Sequence, residues 1–228
     1  MQPYIFPYIG YFQLINSVDT FVFYDDVNFI KRGWINRNKI LINGRESLIS
    51  FPCIKASQNK EIREVEIDLK NPQYQKILKS IYLSYKNAPY FSKVFSMIEE
   101  CFESDSQTIS DLAILSIKLT CNYLGLKAEF EISSQNFNQT KSLGKADRLI
   151  KIANIKKADK YINAPGGKEL YTKDYFKSHG VELLFLEPTI EKYKQFENKF
   201  VPGLSIIDTL MFNSIKKTKD MIEKYRLV

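Results

Sequence analysis

Between Asp25 and Lys39 the chain reads Asp-Asp-Val-Asn-Phe-Ile-Lys-Arg-Gly-Trp-Ile-Asn-Arg-Asn-Lys, fifteen residues with two carboxylates, four cations, three asparagines and the sole tryptophan. Asp25 and Asp26, adjacent at a strand end, suit a general base or the orientation of an amine. Arg32 and Arg37 offer the planar fork that grips phosphate or carboxylate through two bonds, whereas Lys31 is a movable point charge. Trp34 supplies a flat face for a base or a sugar ring. The plainer alternative is a polar approach to a hairpin, its charges paired among themselves.

A second segment, Asn163-Ala164-Pro165-Gly166-Gly167-Lys168, joins a strand to a helix start. Paired glycines let backbone N–H groups turn toward an anion at the positive end of a helix. The segment is not a Walker loop, because the leading glycine spacing is absent and Glu169 stands where Ser or Thr is required. A simple glycine turn explains it equally. Lys145, Asp147 and Arg148 open another helix, where basic side chains oppose the helix dipole. They await either an external carboxylate or phosphate, or neutralisation within the fold by Asp147 and Asp208. Asp208 reads as a partly buried acid paired to a cation.

Other chemistries are poorly provided for. The single histidine, His179, is too little for a His-based metal site and reads as a helix C-terminal residue; no metal is expected. Cys53, Cys101 and Cys121 are few, odd in number and far apart, which fits packing residues reduced in a cytoplasm. No apolar run approaches the roughly 18 residues of a membrane span, so no membrane insertion is expected. The N-terminus has no signal-like core. With 33 basic and 26 acidic residues the net charge is +7, which favours an anionic partner: phosphate, nucleotide, nucleic acid or acidic glycan.

These side chains need a scaffold. The 228 residues, 44% hydrophobic and 26% charged, suit one α/β domain over 1–228 rather than a disordered tail. Two prolines in Gln2-Pro3-Tyr4-Ile5-Phe6-Pro7 favour extended chain, and a short helix follows over 11–16. Thr20 to Tyr24 is a β-prone apolar run, expected as a buried strand. Asn43-Gly44 between two β-prone runs predicts a hairpin near 39–51. Residues 70–125 form a helical insertion, with Asn71-Pro72 as a start, Ser104 to Ser106 as caps and Gly125 as a stop. Strands over 129–132, 160–162 and 181–185 alternate with helices over 146–155 and 169–178. That order implies a mainly parallel sheet with right-handed β-α-β crossovers. Two helices, over 203–213 and 215–225, close the chain. In such sheets ligands sit beyond the carboxyl ends of strands. This selects the loops 3–10, 25–37, 133–145 and 163–168.

The order Gln2-Pro3-Tyr4-x-Phe6-Pro7-x-x-Gly10-Tyr11-Phe12, Asp25-Asp26-Val27 and Trp34-x-Asn36-Arg37-Asn38 resembles the WbqC-like family. Lys145-Ala146-Asp147-Arg148, Pro165-Gly166-Gly167-Lys168-x-x-Tyr171 and Phe200-Val201-Pro202-Gly203-Leu204-Ser205-Ile206-Ile207-Asp208 are similar to its downstream blocks. The resemblance spans nearly the whole chain. It implies a role in bacterial O-antigen or surface-polysaccharide clusters, with transfer of glycine to a sugar as the suggested activity. It also implies a short apolar strand ahead of Gln-Pro. Here Met1 directly precedes Gln2, so that strand is expected to be short or missing.

Tyr8-Ile9-Gly10-Tyr11, followed by a short helix and a strand, also looks like the start of nucleotidyltransferase-like α/β domains. Those carry a His-x-Gly-His signature for ATP phosphates. Both histidines are tyrosines here, uncharged at pH 7, so adenylyl transfer by that route is not expected.

The resemblance, read with these residues, implies a cytoplasmic transferase that forms an amide between an amino acid, plausibly glycine, and a nucleotide-linked amino sugar. Its acyl donor is either ATP-activated or an aminoacyl-tRNA. Asp25, Asp26 and Lys31 are the catalytic candidates. Gln2, Tyr8, Gly10, Tyr11, Arg32, Trp34, Asn36, Arg37, Lys145, Arg148, Gly166, Gly167, Lys168 and Tyr171 are the substrate-binding ones, and Arg37 and Gly167 are expected to share a cavity. The alternatives are a non-catalytic nucleotide- or glycan-binding component of the same pathway and, on charge alone, a nucleic-acid binder.

Overall fold

The computed structural model describes residues 1–197 and 199–228. Helix α1 (Ile9–Asn16) leads into strand β1 (Thr20–Phe23), and the hairpin β2 (Arg37–Ile42) and β3 (Arg45–Ser50) follows. Asn43 and Gly44 both take positive φ, 50° and 73°, the twist a two-residue hairpin needs and the reason for Asn-Gly there. Three helices make the insertion: α2 (Pro72–Tyr85), α3 (Phe91–Phe102) and α4 (Ile109–Leu124). Asn71 caps α2 with proline in its first turn. The cap of α4 is Thr108, which forms a reciprocal capping box with Asp111, not the Ser104–Ser106 cluster. Those serines bond to one another one turn earlier. Gly125 ends α4 in the left-handed region.

The last third alternates as expected: β4 (Glu129–Ile132), a short helix α5 (Ser133–Asn136), α6 (Lys145–Ile155), β5 (Lys160–Asn163), α7 (Lys173–Ser178) and β6 (Glu182–Pro188). The helix expected over 169–178 starts later, because Pro165–Glu169 winds as a 3-10 turn instead. Helices α8 (Ile206–Phe212) and α9 (Ile215–Ile222) close the fold. A final strand, β7 (Tyr225–Leu227), was not anticipated; it adds antiparallel to β6.

The described strands fall into three small sheets rather than one. β1 pairs parallel with β4, β2 antiparallel with β3, and β5 parallel with β6, which also carries β7. The β5–β6 pair is one the β-α-β order implies; the pairing of β4 with β1 is not. Two apolar layers flank them. One holds Phe21, Phe23, Leu14 and Ile15 together with α4, α8 and α9. The other holds Leu149, Ile150 and Ala153 of α6 with Phe176, Leu183 and Phe185. Among the described residues, no helix is long and apolar enough to cross a membrane.

Candidate functional site

The parallel pairing sets β1 and β4 in register, Phe23 opposite Ile132, so the residues following each strand emerge side by side. After β1 come Asp25 and Asp26; after β4 come Ser133 and Ser134. Three of the four carboxylate oxygens meet donors there. The Ser133 hydroxyl lies 3.0 Å from Asp25 Oδ1 and 2.5 Å from Asp26 Oδ1. It has one proton, so it donates to one carboxylate at a time. The same hydroxyl accepts the Asp25 N–H at 3.2 Å. Ser134 donates its N–H to Asp25 Oδ1 at 3.0 Å and its hydroxyl to Oδ2 at 2.7 Å.

Arg148, in the first turn of α6, supplies the cation. It donates to Asp26 Oδ2 at 2.5 Å and to Thr140 Oγ1 at 3.1 Å, and its guanidinium lies 4.7 Å from the centre of the Tyr24 ring. Both members of the ion pair are buried, 4% exposed each. Burial by itself raises the Asp26 carboxyl, but hydrogen bonds from Arg148 and Ser133 outweigh it and hold the group below its ordinary value. Two more cations stand nearby through Glu61, which pairs with Arg63 at 2.8 Å and Lys141 at 2.5 Å. The Arg63 N–H also donates to the Asp25 carbonyl. Of the basic residues in the first turn of α6, Arg148 is answered inside the fold, by Asp26. Asp147 instead accepts from Tyr175.

The other expected site residues lie in three further settings. Tyr171 packs edge-on against Phe176, which stacks on Tyr161, on the Tyr24 side of the cluster. In the N-terminal loop, Tyr11 is buried and donates to the Gln2 carbonyl at 2.8 Å, and Tyr4 donates to the Gln2 side chain. A Cβ on Gly10 would stand 2.5 Å from the Tyr8 ring, so glycine is required for that ring to lie over the start of α1. Lys145 is exposed.

The loop from Asn28 to Asn36 folds largely onto itself. Arg37 donates to the carbonyls of Gly33 at 3.2 Å and Arg32 at 2.5 Å, and Asn36 donates to the Phe51 carbonyl. Lys31 and Arg32 are exposed. Trp34 is 46% exposed, with the Lys39 ammonium 5.9 Å from its ring centre.

Of the glycine pair, Gly167 does not present its amide outward. The Gly167 N–H donates to the Ala164 carbonyl, and a Cβ there would collide with the Asn163 amide. This is a close-packing turn, with Gly166 open to solvent. Lys168 pairs with Glu187 at 2.8 Å. Arg37 and Gly167 line neither the cleft between β1 and β5 nor the shallow one beside the β2–β3 turn. Asp208 has tyrosine and amide partners rather than a cation: Tyr85 at 2.8 Å, Tyr193 at 2.6 Å and Gln195 at 2.6 Å. Burial pushes its carboxyl up despite those bonds.

Burial also pushes the Cys53 and Cys121 thiols up to about 12, so both are protonated and unreactive at neutral pH. Ser133, Ser134, Tyr24 and Arg63 had no individual signal in the sequence. The strand-end rule selected the loop containing Ser133, yet serine after a strand is too common to single out.

The sequence profile of the WbqC-like protein family matches residues 2–220. An uncharacterized protein of Mycobacterium tuberculosis (strain ATCC 25618 / H37Rv), Rv1507c, is similar at 26% identity over 232 residues, covering 99% of this chain and 97% of its own. No solved structure matches the chain.

Proposed function

The chain belongs to the WbqC-like protein family, and from that premise we propose that it is a transferase of bacterial surface-polysaccharide (O-antigen) biosynthesis, joining glycine as an amide to an amino sugar carried on a nucleotide. Family membership alone points to a protein associated with polysaccharide clusters. The finer reading rests on one observation: two carboxylates meet at a single serine hydroxyl, with a buried arginine beside them, at the carboxyl ends of two parallel strands. In this reading the sugar amine attacks the activated glycyl carbonyl carbon. The new C–N bond forms as the bond to the activating group breaks, and the electron pair leaves with that group. The leaving group is AMP where ATP has made an acyl-adenylate, or the tRNA hydroxyl where the donor is an aminoacyl-tRNA. One amine proton passes to Asp25, whose Oδ2 meets only the half-buried Ser134 hydroxyl. Asp26 and Arg148 hold that carboxylate and its serines in place. Lys31 and Arg32 bind phosphate from the exposed loop, and Trp34 stacks a ring.

Purified protein is incubated with an amino-sugar nucleotide, glycine and ATP, or with charged tRNA, and products are read by mass spectrometry. The expected result is a glycyl mass gain that Asp25→Asn abolishes. No gain with either donor refutes the transferase.

One observation favours a second reading, a non-catalytic nucleotide- or glycan-binding component. Both carboxylates are nearly inaccessible, 3% and 4% exposed, and every oxygen is already bonded. That reading expects calorimetric binding without product, retained in Asp25→Asn and Asp26→Asn.

A further inference from the structure

Helix α2 turns its apolar side inward. Tyr74, Ile77, Ile81 and Tyr85 are buried, at the spacing of one helix face. The opposite side carries Lys76, Lys79, Leu83 and Lys86, all exposed. At 3.6 residues per turn their offsets set them in one narrow strip along the helix, about 15 Å long.

No carboxylate answers these lysines. From 69 to 98 the chain holds five lysines and neither aspartate nor glutamate. The positions three and four residues away, where an acid would pair along a helix, hold proline, glutamine, serine, tyrosine, leucine and lysine instead. Lys76 and Lys79 stand in repulsive spacing. Among the described residues none of the three makes an ion pair. Where glutamate is at hand the chain does pair its lysines: Lys39 with Glu46, Lys141 with Glu61, and Lys217 and Lys224 with Glu191.

The middle of the strip is apolar and faces out. Leu83 is 55% exposed, and Tyr82 beside it is 44% exposed, its ring edge-on to Phe91 at 5.4 Å. Leu83 also borders the shallow cleft by the β2–β3 turn, about 320 Å³ in volume, together with Asn43, Ser84 and Asn87. Their amide and hydroxyl groups can donate to a polar headgroup.

A line of uncompensated cations calls for an anionic partner. Two features favour lipid over nucleic acid. The strip has lysine and no arginine, the fork that reads phosphate and base edges through two bonds. It also centres on Leu83, an aliphatic side chain that acyl chains accept and a phosphate backbone does not.

We propose that the solvent face of α2 docks the protein flat on an anionic lipid surface, with Lys76, Lys79 and Lys86 on the headgroups and Leu83 dipping between them. The helix does not cross the bilayer, because its apolar side stays in the core. This docking stands whether or not the protein is a transferase.

The test is sedimentation with vesicles of phosphatidylcholine containing phosphatidylserine, set against pure phosphatidylcholine. The protein is expected to bind the first and not the second. Each lysine at an anionic surface is worth about fivefold in partition, so Lys76→Gln, Lys79→Gln and Lys86→Gln together should weaken binding by about 100-fold. Lys151→Gln, Lys173→Gln and Lys177→Gln remove the same charge from exposed positions on α6 and α7, helices of the other apolar layer. They should cost under about threefold, since salt screens charges far from the contact. Equal losses in the two triple variants overturn the proposal, because net charge alone would produce them. No sedimentation with phosphatidylserine, or equal sedimentation without it, overturns it too. So does a stripe variant that loses affinity for a labelled single-stranded RNA while its vesicle binding is unchanged. Should the triple variant fail to fold, Lys79→Glu alone is expected to lose at least about tenfold, and no loss there overturns the docking.

Discussion

Replacing Arg148 with methionine tests the energetics at the centre of the candidate site. Methionine keeps an apolar stem against Tyr24 but removes the cation that, among the described residues, is bonded to Asp26. Asp26 is then a buried carboxylate with Ser133 as its one remaining side-chain donor. Breaking a buried pair from one side costs about 3–5 kcal/mol. For 228 residues, an unfolding entropy of about 2.1 cal/mol/K per residue makes each kcal/mol worth about 2 °C, so the expected fall in Tm is about 6–10 °C. The pH dependence changes sign. In the native protein Asp26 titrates below its ordinary value, so its stabilisation is present above the unfolded value and lost as pH falls through the folded one. Without Arg148, burial dominates and the folded value rises above the unfolded one. The unfolded chain then binds fewer protons, and stability recovers on acidification. Urea unfolding at pH 7 and pH 5 is the assay, with the deficit expected to shrink by at least about 1 kcal/mol at the lower pH. Adding Asp26→Asn to Arg148→Met should restore most of the loss, since position 26 then carries no unpaired charge. A loss under about 1 kcal/mol at pH 7, or a double variant no better than the single, refutes the argument.

Three further outcomes are expected. Tyr85→Phe removes the hydroxyl that accepts from the Leu41 N–H and donates to Asp208, both at 2.8 Å; two buried groups lose a partner, and denaturant unfolding should register a loss of about 1–3 kcal/mol. Gly167→Ala drives a methyl group into the Asn163 amide at the end of β5, with a cost of about 1–3 kcal/mol by calorimetry, whereas Gly166→Ala, with nothing within 4 Å, should leave Tm unchanged. The Met1 amine, lowered by burial from 8.0 to about 5, is charged in the unfolded chain and neutral in the folded one between those values. The unfolded state binds more protons there, so stability rises with pH across that window, and acetylation of Met1 should remove that slope in urea titrations.

Local chemistry was enough to read some of this protein from the sequence. Asn43-Gly44 set its hairpin because only certain residues accept two consecutive positive φ values, and Asn71-Pro72 and Gly125 marked helix ends for equally local reasons. The β-α-β order implied the β5–β6 parallel pair, and the strand-end rule picked out the loops that hold Asp25, Asp26 and Ser133. The tertiary structure alone decided which charges meet. Arg148 lies 122 residues from Asp26, and Ser133 is 108 from Asp25, separations across which no sequence pattern specifies a partner. It also turned Arg37 onto its own loop, gave the Gly167 amide to Ala164 and surrounded Asp208 with hydroxyls, because a buried polar group takes whichever donor or acceptor packing brings within reach. Residue type announces what a side chain can bond; the folded chain's crowding determines what it does bond.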